Sequence, residues 1–378
     1  MKHSQLVESL QDLYPVNSKT AKSLNGKCDY LAHALLAKIN NTHAVSNIHQ
    51  QSSVLLETNA IRHFQYMKSF MEIFDPFSFL EIFKWMLRTY ENHGFPYEYW
   101  KVMLPESRKI LKNELSAKDF RQIAQIYDWL LSYLDQVNEL SLAEESYFEH
   151  ITATPQECEE KHQPENLNEL SSNYVNLLLQ GKRSEAIDLI ITNANSDITL
   201  EDIYLKVLQP AMYSIGKKWQ TNEINIAVEH YCTAATQMLL AMLFPLCLES
   251  DKKNDKKMIG CCLGSELHEL GMRMVSDFFE FAGWNTYFLG AVMPSDSLIE
   301  TIKKEQPDIV CLSASMYFGV PQSREVIKMI KSINSYTPPK VLVGGLAFNL
   351  NPELSKAVGA DGFSKNASEA ITIADKLI

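Results

Sequence analysis

The residues with most chemical promise lie in one short loop. His268 stands in Glu266-Leu267-His268-Glu269-Leu270-Gly271, after an apolar run and before an amphipathic segment. From Gln163 to Ile378 the only other histidine is His230, which directly follows Glu229. A carboxylate two residues before a histidine can bond the ring nitrogen that is not used for ligation. That fixes the tautomer and raises the basicity of the other nitrogen toward a metal. Ser265 adds a hydroxyl to the loop, and Gly271 permits a close backbone approach or an unusual φ where a helix starts. Two further elements lie downstream. Leu312-Ser313-Ala314-Ser315 places small hydroxyls at the end of an apolar run, and Gly344-Gly345 removes side chains at the end of the next. Taken singly, a surface histidine, helix-capping serines and a plain turn would account for them.

The elements that must position these residues are legible from Met258 onward. MIGCCLG, NTYFLGAVM, DIVCLSASM, KVLVGGLAF and ADGFSK are β-prone runs separated by amphipathic helical segments. Strand and helix in alternation predict a flavodoxin-like (Rossmann-type) five-stranded parallel sheet over 256–378. In such sheets ligands bind beyond the carboxyl ends of the strands. The loops after strands one, three and four carry the histidine, the serines and the glycines.

Before this domain, residues 167–250 give the pattern of a four-helix bundle. Residues 1–143 read as an all-helical domain. In it, 78–94 is a helix with Leu80, Phe83, Leu87 and Tyr90 on one face, stopped by Gly94. A second helix over 119–137 turns Ile123, Ile126, Leu130 and Leu134 inward. Residues 144–166 are acidic and lose their apolar period, as a linker does. The predicted class is therefore multidomain, α followed by α/β.

A length of 378 residues suits two or three domains, and 46% hydrophobic residues suffice for real cores. A net charge of −11 argues against direct nucleic-acid binding. No signal-peptide pattern and no run of 18 apolar residues occurs, so a cytoplasmic protein with no membrane partner is expected. The scattered, odd-numbered cysteines fit reduced thiols.

With these residues in order, the C-terminal region resembles a cobalamin-binding domain: E-x-H-x-x-G, then a serine motif, then G-G, after strands one, three and four. The resemblance implies that His268 ligates cobalt from below and that Glu266 orients it. It also implies that Ser313 contacts the displaced nucleotide base and that Gly344 and Gly345 line the tail. Ser315 stands where the family often has leucine. A bundle just before such a domain usually caps the cofactor's upper face. Here Trp219 precedes Glu229-His230 as W-x9-E-H, a spacing similar to that of adenosylcobalamin-dependent light sensors of the CarH type. That likeness implies an adenosyl pocket walled by Trp219 and contacted by Glu229 and His230. One departure is Gln220, which stands where that type has a second histidine.

No DNA-binding module precedes the bundle. The helical domain loosely resembles that of photocobilins, which implies a globin-like fold holding biliverdin as a second chromophore, with Arg62 and His63 as pocket residues. Cys28 could form a thioether to the bilin, and a buried, unreactive thiol is the weightier reading. The other reading is a dimerisation or docking domain whose aromatics are core. The leading expectation is a non-enzymatic adenosylcobalamin photoreceptor, homo-oligomeric, acting on an output protein not named by the sequence. The alternative is a corrinoid carrier for a methyltransferase system. Its bundle and His268 loop would be the same, and only the upper wall would differ.

Overall fold

In the computed structural model of the chain, the described residues are 2–13, 18–40, 53–143, 165–194, 198–247 and 254–378. The chain divides into two compact units, Met1–Phe148 and Glu149–Ile378. Almost all of the linker expected at 144–166 lies outside the described residues.

The first unit is helical: α1 (His3–Gln11), α2 (Ser18–Lys22), α3 (Cys28–Ile39), α4 (Ser53–Glu72), α5 (Pro76–Asn92), α6 (Tyr97–Glu114) and α7 (Ala117–Ala143). Helix α5 begins as its sequence dictates. Pro76 occupies the first turn and the Asp75 carboxylate accepts from the Ser78 N–H at 2.8 Å. Gly94, at φ +81°, ends it. Its burial departs from the one-faced expectation. Phe79, Leu80, Ile82, Phe83, Met86 and Leu87 are buried, and so are Glu81 and Lys84. A helix surrounded by others has no polar face to spare, so period alone misjudged it. Its charges are paired inside: Glu81 accepts from Lys84 Nζ at 3.2 Å and contacts His3 Nε2 at 2.5 Å. In α7 the four inward residues, Ile123, Ile126, Leu130 and Leu134, are all buried.

The second unit starts with a helical bundle: α8 (Glu165–Leu179), α9 (Arg183–Ala194), α10 (Leu200–Asp202), a π-helical segment Ile203–Leu208 running into α11 (Gln209–Gln220), and α12 (Ile226–Cys247). Pro210 sits just inside α11 and lacks the N–H that a regular helix would need there. A five-stranded parallel sheet follows, in the order β2-β1-β3-β4-β5. Its strands are β1 (Lys257–Cys262), β2 (Asn285–Phe288), β3 (Ile309–Ser313), β4 (Lys340–Gly344) and β5 (Gly362–Phe363). Helices α13 (Leu270–Phe281), α14 (Ser295–Glu305), α15 (Gly319–Lys331), α16 (Leu346–Leu350), α17 (Leu354–Val358) and α18 (Ala367–Leu377) connect and flank them. Every predicted strand is present, and the central ones follow from apolar runs that are buried on both faces of a parallel sheet. β1 and β3 are buried along almost their whole length.

Bundle and sheet are joined through α13, which contributes to the core of each. Met274 and Phe278 of α13 pack into the same cluster as Tyr204, Leu239 and Leu243 of the bundle. Inside that junction Tyr204 Oη donates to Asp277 Oδ2 at 2.9 Å, while Arg273 Nε donates to Oδ1 at 2.9 Å. Burial raises the Asp277 carboxyl to about 6 against the pull of Arg273 and the Tyr204 hydroxyl. Both partners favour the ionised form, so losing one costs more when Asp277 is charged. Tyr204→Phe is expected to destabilise the second unit by about 1–3 kcal/mol at pH 8, the scale of a buried donor lost. The loss should be smaller at pH 5, below the folded-state value. Urea unfolding at the two pH values measures this, and an equal loss at both would contradict it.

Candidate functional site

The predicted loop lies at the carboxyl edge of the sheet, between β1 and α13. Glu266 is 1% exposed and the His268 side chain 63% exposed. One Glu266 oxygen, Oε1, accepts from the His268 backbone N–H at 3.0 Å and also binds His268 Nδ1. The other, Oε2, accepts from the backbone N–H groups of Ser315 and Met316, both at 2.9 Å. Burial alone would raise this carboxyl. The His268 ring and the Met316 and His268 amides outweigh it and hold the group down at about 2. Glu266 is thus a buried anion that fixes the ring by Nδ1, so ligation by His268 would run through Nε2.

The serines and glycines sit at the neighbouring strand ends. Ser313 is buried at the end of β3, in register with Cys262 of β1 and Gly344 of β4. Ser315 contributes its backbone N–H to Glu266, a role its side chain did not advertise. Ser265 is exposed. Gly345, at φ +93°, lies so close to Ala314 that a Cβ would come within 2.6 Å of its carbonyl oxygen. At Gly344 a Cβ would come within 3.1 Å of the Ser364 carbonyl oxygen. These glycines let neighbouring loops touch at the strand end where the tail wall was expected. Gly271 differs again. It takes an ordinary position within α13, with no positive φ, and a Cβ there would meet nothing within 4 Å.

The bundle residues stand at its far end. Helices α12 and α13 run in the same direction where they touch: Gln237 meets Glu269, and Arg273 lies over the Phe244 ring. Helix α13 starts at the carboxyl edge of the sheet, so the turns of α12 before Gln237 stand beyond that edge. His230 lies seven residues earlier on the same helix face, about 10 Å along the axis. Its side chain is 73% exposed, with Nδ1 held by Glu229 Oε2 at 2.6 Å; Glu229 Oε1 also accepts from Thr233. Trp219 is half-buried near the end of α11, and Gln220 is buried beside it.

Sequence reasoning missed the surface between these two ends. Ile226, Ala227, Ala234, Met238, Ala241 and Met242 form an exposed apolar stripe on α12, although the opposite face already fills the bundle core. Leu267 and Val292 are exposed beside His268. Val292 donates its N–H to the Glu266 carbonyl at φ +54°, an uncommon conformation for a β-branched residue and one that gathers at ligand sites. A helix apolar on both faces was the readable signal, because one side must then be covered by something else. A flat, apolar-rimmed ring whose metal would take one imidazole fits what this loop offers: a single oriented imidazole, Leu267 and Val292 exposed beside it, and open space at Gly271.

Residues 256–372 match one B12 binding domain family, and residues 170–244 match a second of the same description. The second unit thus carries paired B12 binding domains. A corrinoid is the cofactor class that such domains take. Dimethylamine corrinoid protein 1 of Methanosarcina acetivorans is 24% identical over 199 residues, which is 52% of this chain and 92% of that relative. Dimethylamine corrinoid protein 3 of Methanosarcina mazei is 32% identical over 113 residues, 30% of this chain and 66% of that protein. The monomethylamine corrinoid protein of Methanosarcina barkeri shares the fold at a TM-score of 0.50, with 19% identity, over 56% of this chain and 99% of that one.

Of the residues named for a bilin in the first unit, His63 is packed as core, while Arg62 and Cys28 are half-buried. His63 is buried, its Nε2 is 2.7 Å from Tyr127 Oη, and burial pushes its imidazole down to about 3. The crevice lined by His63, Tyr66, Phe70 and Phe83 has a volume of about 10 Å³, room for a single water. Burial also raises the Cys28 thiol, which keeps it protonated and weakly nucleophilic.

Because Glu266 fixes the His268 ring through Nδ1, its replacement should weaken ligation. Glu266→Gln is expected to weaken cobalamin binding by roughly 10- to 100-fold, the usual effect of losing a ligand's orienting partner. Titration of the full chain with hydroxocobalamin, followed by absorbance, measures it. Unchanged affinity would remove Glu266 from the site.

Proposed function

We propose that this chain is a corrinoid carrier. On this reading it holds a cobalamin above His268 and offers the upper face to a separate protein that performs the group transfer. The observation that carries the proposal is the exposed His268 ring, oriented by a buried Glu266, with Leu267 and Val292 exposed beside it. Bound cobalt would supply a reversible bond to an alkyl group. The chain's own residues would do the rest. His268 Nε2 would ligate from below, Glu266 would fix the ring, and Leu267, Val292 and the α12 stripe would keep water from the corrin rim. Ser313, Ser315, Gly271, Gly344 and Gly345 would border the nucleotide tail. No residue is assigned a catalytic role, and the names of the relatives favour a methyl group as cargo. A separate methyltransferase is the partner this reading requires.

A second reading is favoured by one feature, the W-x9-E-H set. Trp219 with the Glu229–His230 pair offers an aromatic wall and two polar groups, more than a small apolar methyl lid needs. They would suit an adenosyl group, and the chain would then be a light-responsive adenosylcobalamin protein that changes its oligomeric state or its grip on an output partner. Gln220 is buried in the bundle, so a light-state cobalt ligand from that position would require the end of α11 to rearrange. Biliverdin in the first unit belongs to this reading alone.

Reconstitution of the full chain with methylcobalamin and adenosylcobalamin, with and without biliverdin, decides between them. Absorbance and light scattering would be recorded in the dark and after green light. A carrier binds methylcobalamin in a base-off, histidine-ligated form and keeps its size in the light. A sensor prefers adenosylcobalamin and changes size on illumination, and Trp219→Ala then narrows that preference. His268→Ala should weaken binding by more than roughly 10-fold in either case. Intact binding in that variant would refute both.

A further inference from the structure

A polar atom buried without a partner is costly, so the few such atoms in a well-packed domain mark places where another group is expected. Among the described residues of the second unit, two buried side-chain polar atoms have no hydrogen-bond partner, Gln322 Oε1 and Asn349 Oδ1. Both lie toward the ligand edge of the sheet. Gln322 is in the first turn of α15, which follows β3, and Asn349 is on α16, which follows β4. Asn349 keeps a structural bond through Nδ2, which donates to the Lys365 carbonyl at 3.2 Å. Gln322 is placed differently. Its amide lies against Gly264, in the loop that carries Glu266 and His268. A Cβ on Gly264 would fall 2.1 Å from Gln322 Oε1 and 2.4 Å from Nε2. Gly264, at φ +63°, is therefore held as glycine both by its backbone and by the space the amide takes.

We propose that Gln322 is a specificity residue for the cofactor's nucleotide tail, its amide oxygen accepting from a ribose hydroxyl of that tail. This deepens the corrinoid reading and rests on it. The start of α15 is pressed against the strand ends that would border the tail: a Cβ on Gly319 would come within 2.7 Å of Ala314, the residue that Gly345 also touches. The amide thus stands between the loop after β1 and the loop after β3. The tail of a cobalamin carries a phosphate, which accepts hydrogen bonds, and ribose hydroxyls, which can donate. An orphaned oxygen needs a donor, so the hydroxyl is the matching group. The terminal torsion of a glutamine is soft, which lets the oxygen swing from Gly264 toward an arriving donor. Packing alone does not call for an amide here, since an apolar chain of the same length would fill the space and leave no orphan. An acceptor that pairs only with the tail favours a complete corrinoid over a truncated one.

Gln322→Met tests this, because it keeps the length of the side chain and removes both polar atoms. The full-length parent and variant would be titrated by absorbance with hydroxocobalamin, cobinamide phosphate and cobinamide. These carry the whole tail, its phosphate alone, and neither. The variant is expected to bind hydroxocobalamin roughly 5- to 30-fold more weakly, the scale of one buried hydrogen bond, and both truncated corrinoids within about 2-fold of the parent. Gln322→Leu should reproduce the pattern. Cobinamide needs His268 and no tail contact on this reading, so its unchanged binding also shows that the variant is folded. Equal hydroxocobalamin affinity in parent and variants would overturn the proposal. So would a loss shared by cobinamide in a variant that melts as the parent does, since Gln322 would then act through the His268 loop. A loss shared by cobinamide phosphate but not by cobinamide would overturn the hydroxyl as the partner and put the phosphate in its place. A parent that binds none of the three would overturn the corrinoid reading, and this assignment with it.

Discussion

The carboxylate of Glu266 is the interaction on which the second unit's ligand edge depends. It is a buried anion, and a buried anion survives only if donors converge on it. Two of those donors come from the loop after β3, at Ser315 and Met316, and two from His268 itself. One group therefore joins two strand ends and aims a ring. The arrangement costs little flexibility, because backbone N–H groups at strand ends are already fixed by the sheet. It also explains why the loop can present an exposed histidine in one orientation.

The bundle is not an independent attachment to the sheet. Helix α13 serves both, with Met274 and Phe278 in the bundle core and Met272 and Phe279 in the core beneath the strands. A helix with two apolar faces fixes the position of whatever packs on it. Consequently the far end of α12, with Glu229 and His230, is carried beyond the carboxyl edge of the sheet. The polar junction of Tyr204, Asp277 and Arg273 adds direction to an otherwise apolar contact. A buried carboxyl held by two specific donors tolerates one placement of the helix, whereas apolar packing alone would tolerate several.

The first unit follows a different logic. Its aromatics fill space. Phe79, Phe83, Trp100 and Trp129 pack on one another, and Trp129 donates to Ser9 Oγ at 2.9 Å. Its central helix is buried over most of its length, and Glu81 and Lys84 pair with each other within the core. His63 and Tyr127 satisfy one another in the same way. Histidines and aromatics in a helical sequence look alike whether they line a pocket or fill a core, since composition records polarity and size but not free volume.

The sequence by itself determined the strands, the strand order's consequence for the ligand edge, and the pairing of Glu266 with His268. These follow from local period and from a two-residue spacing that the backbone can hardly open. Most bundle helices and the stop at Gly94 were equally local. Tertiary structure alone decided what lies across from what. It gave Ser315 and Met316 to Glu266, turned Gly345 against Ala314, left one face of α12 uncovered, and joined Gln237 to Glu269. Each of these links residues dozens of positions apart, or sets the space around a residue. Such facts come from how the elements pack, and no property of the residues taken one by one encodes them.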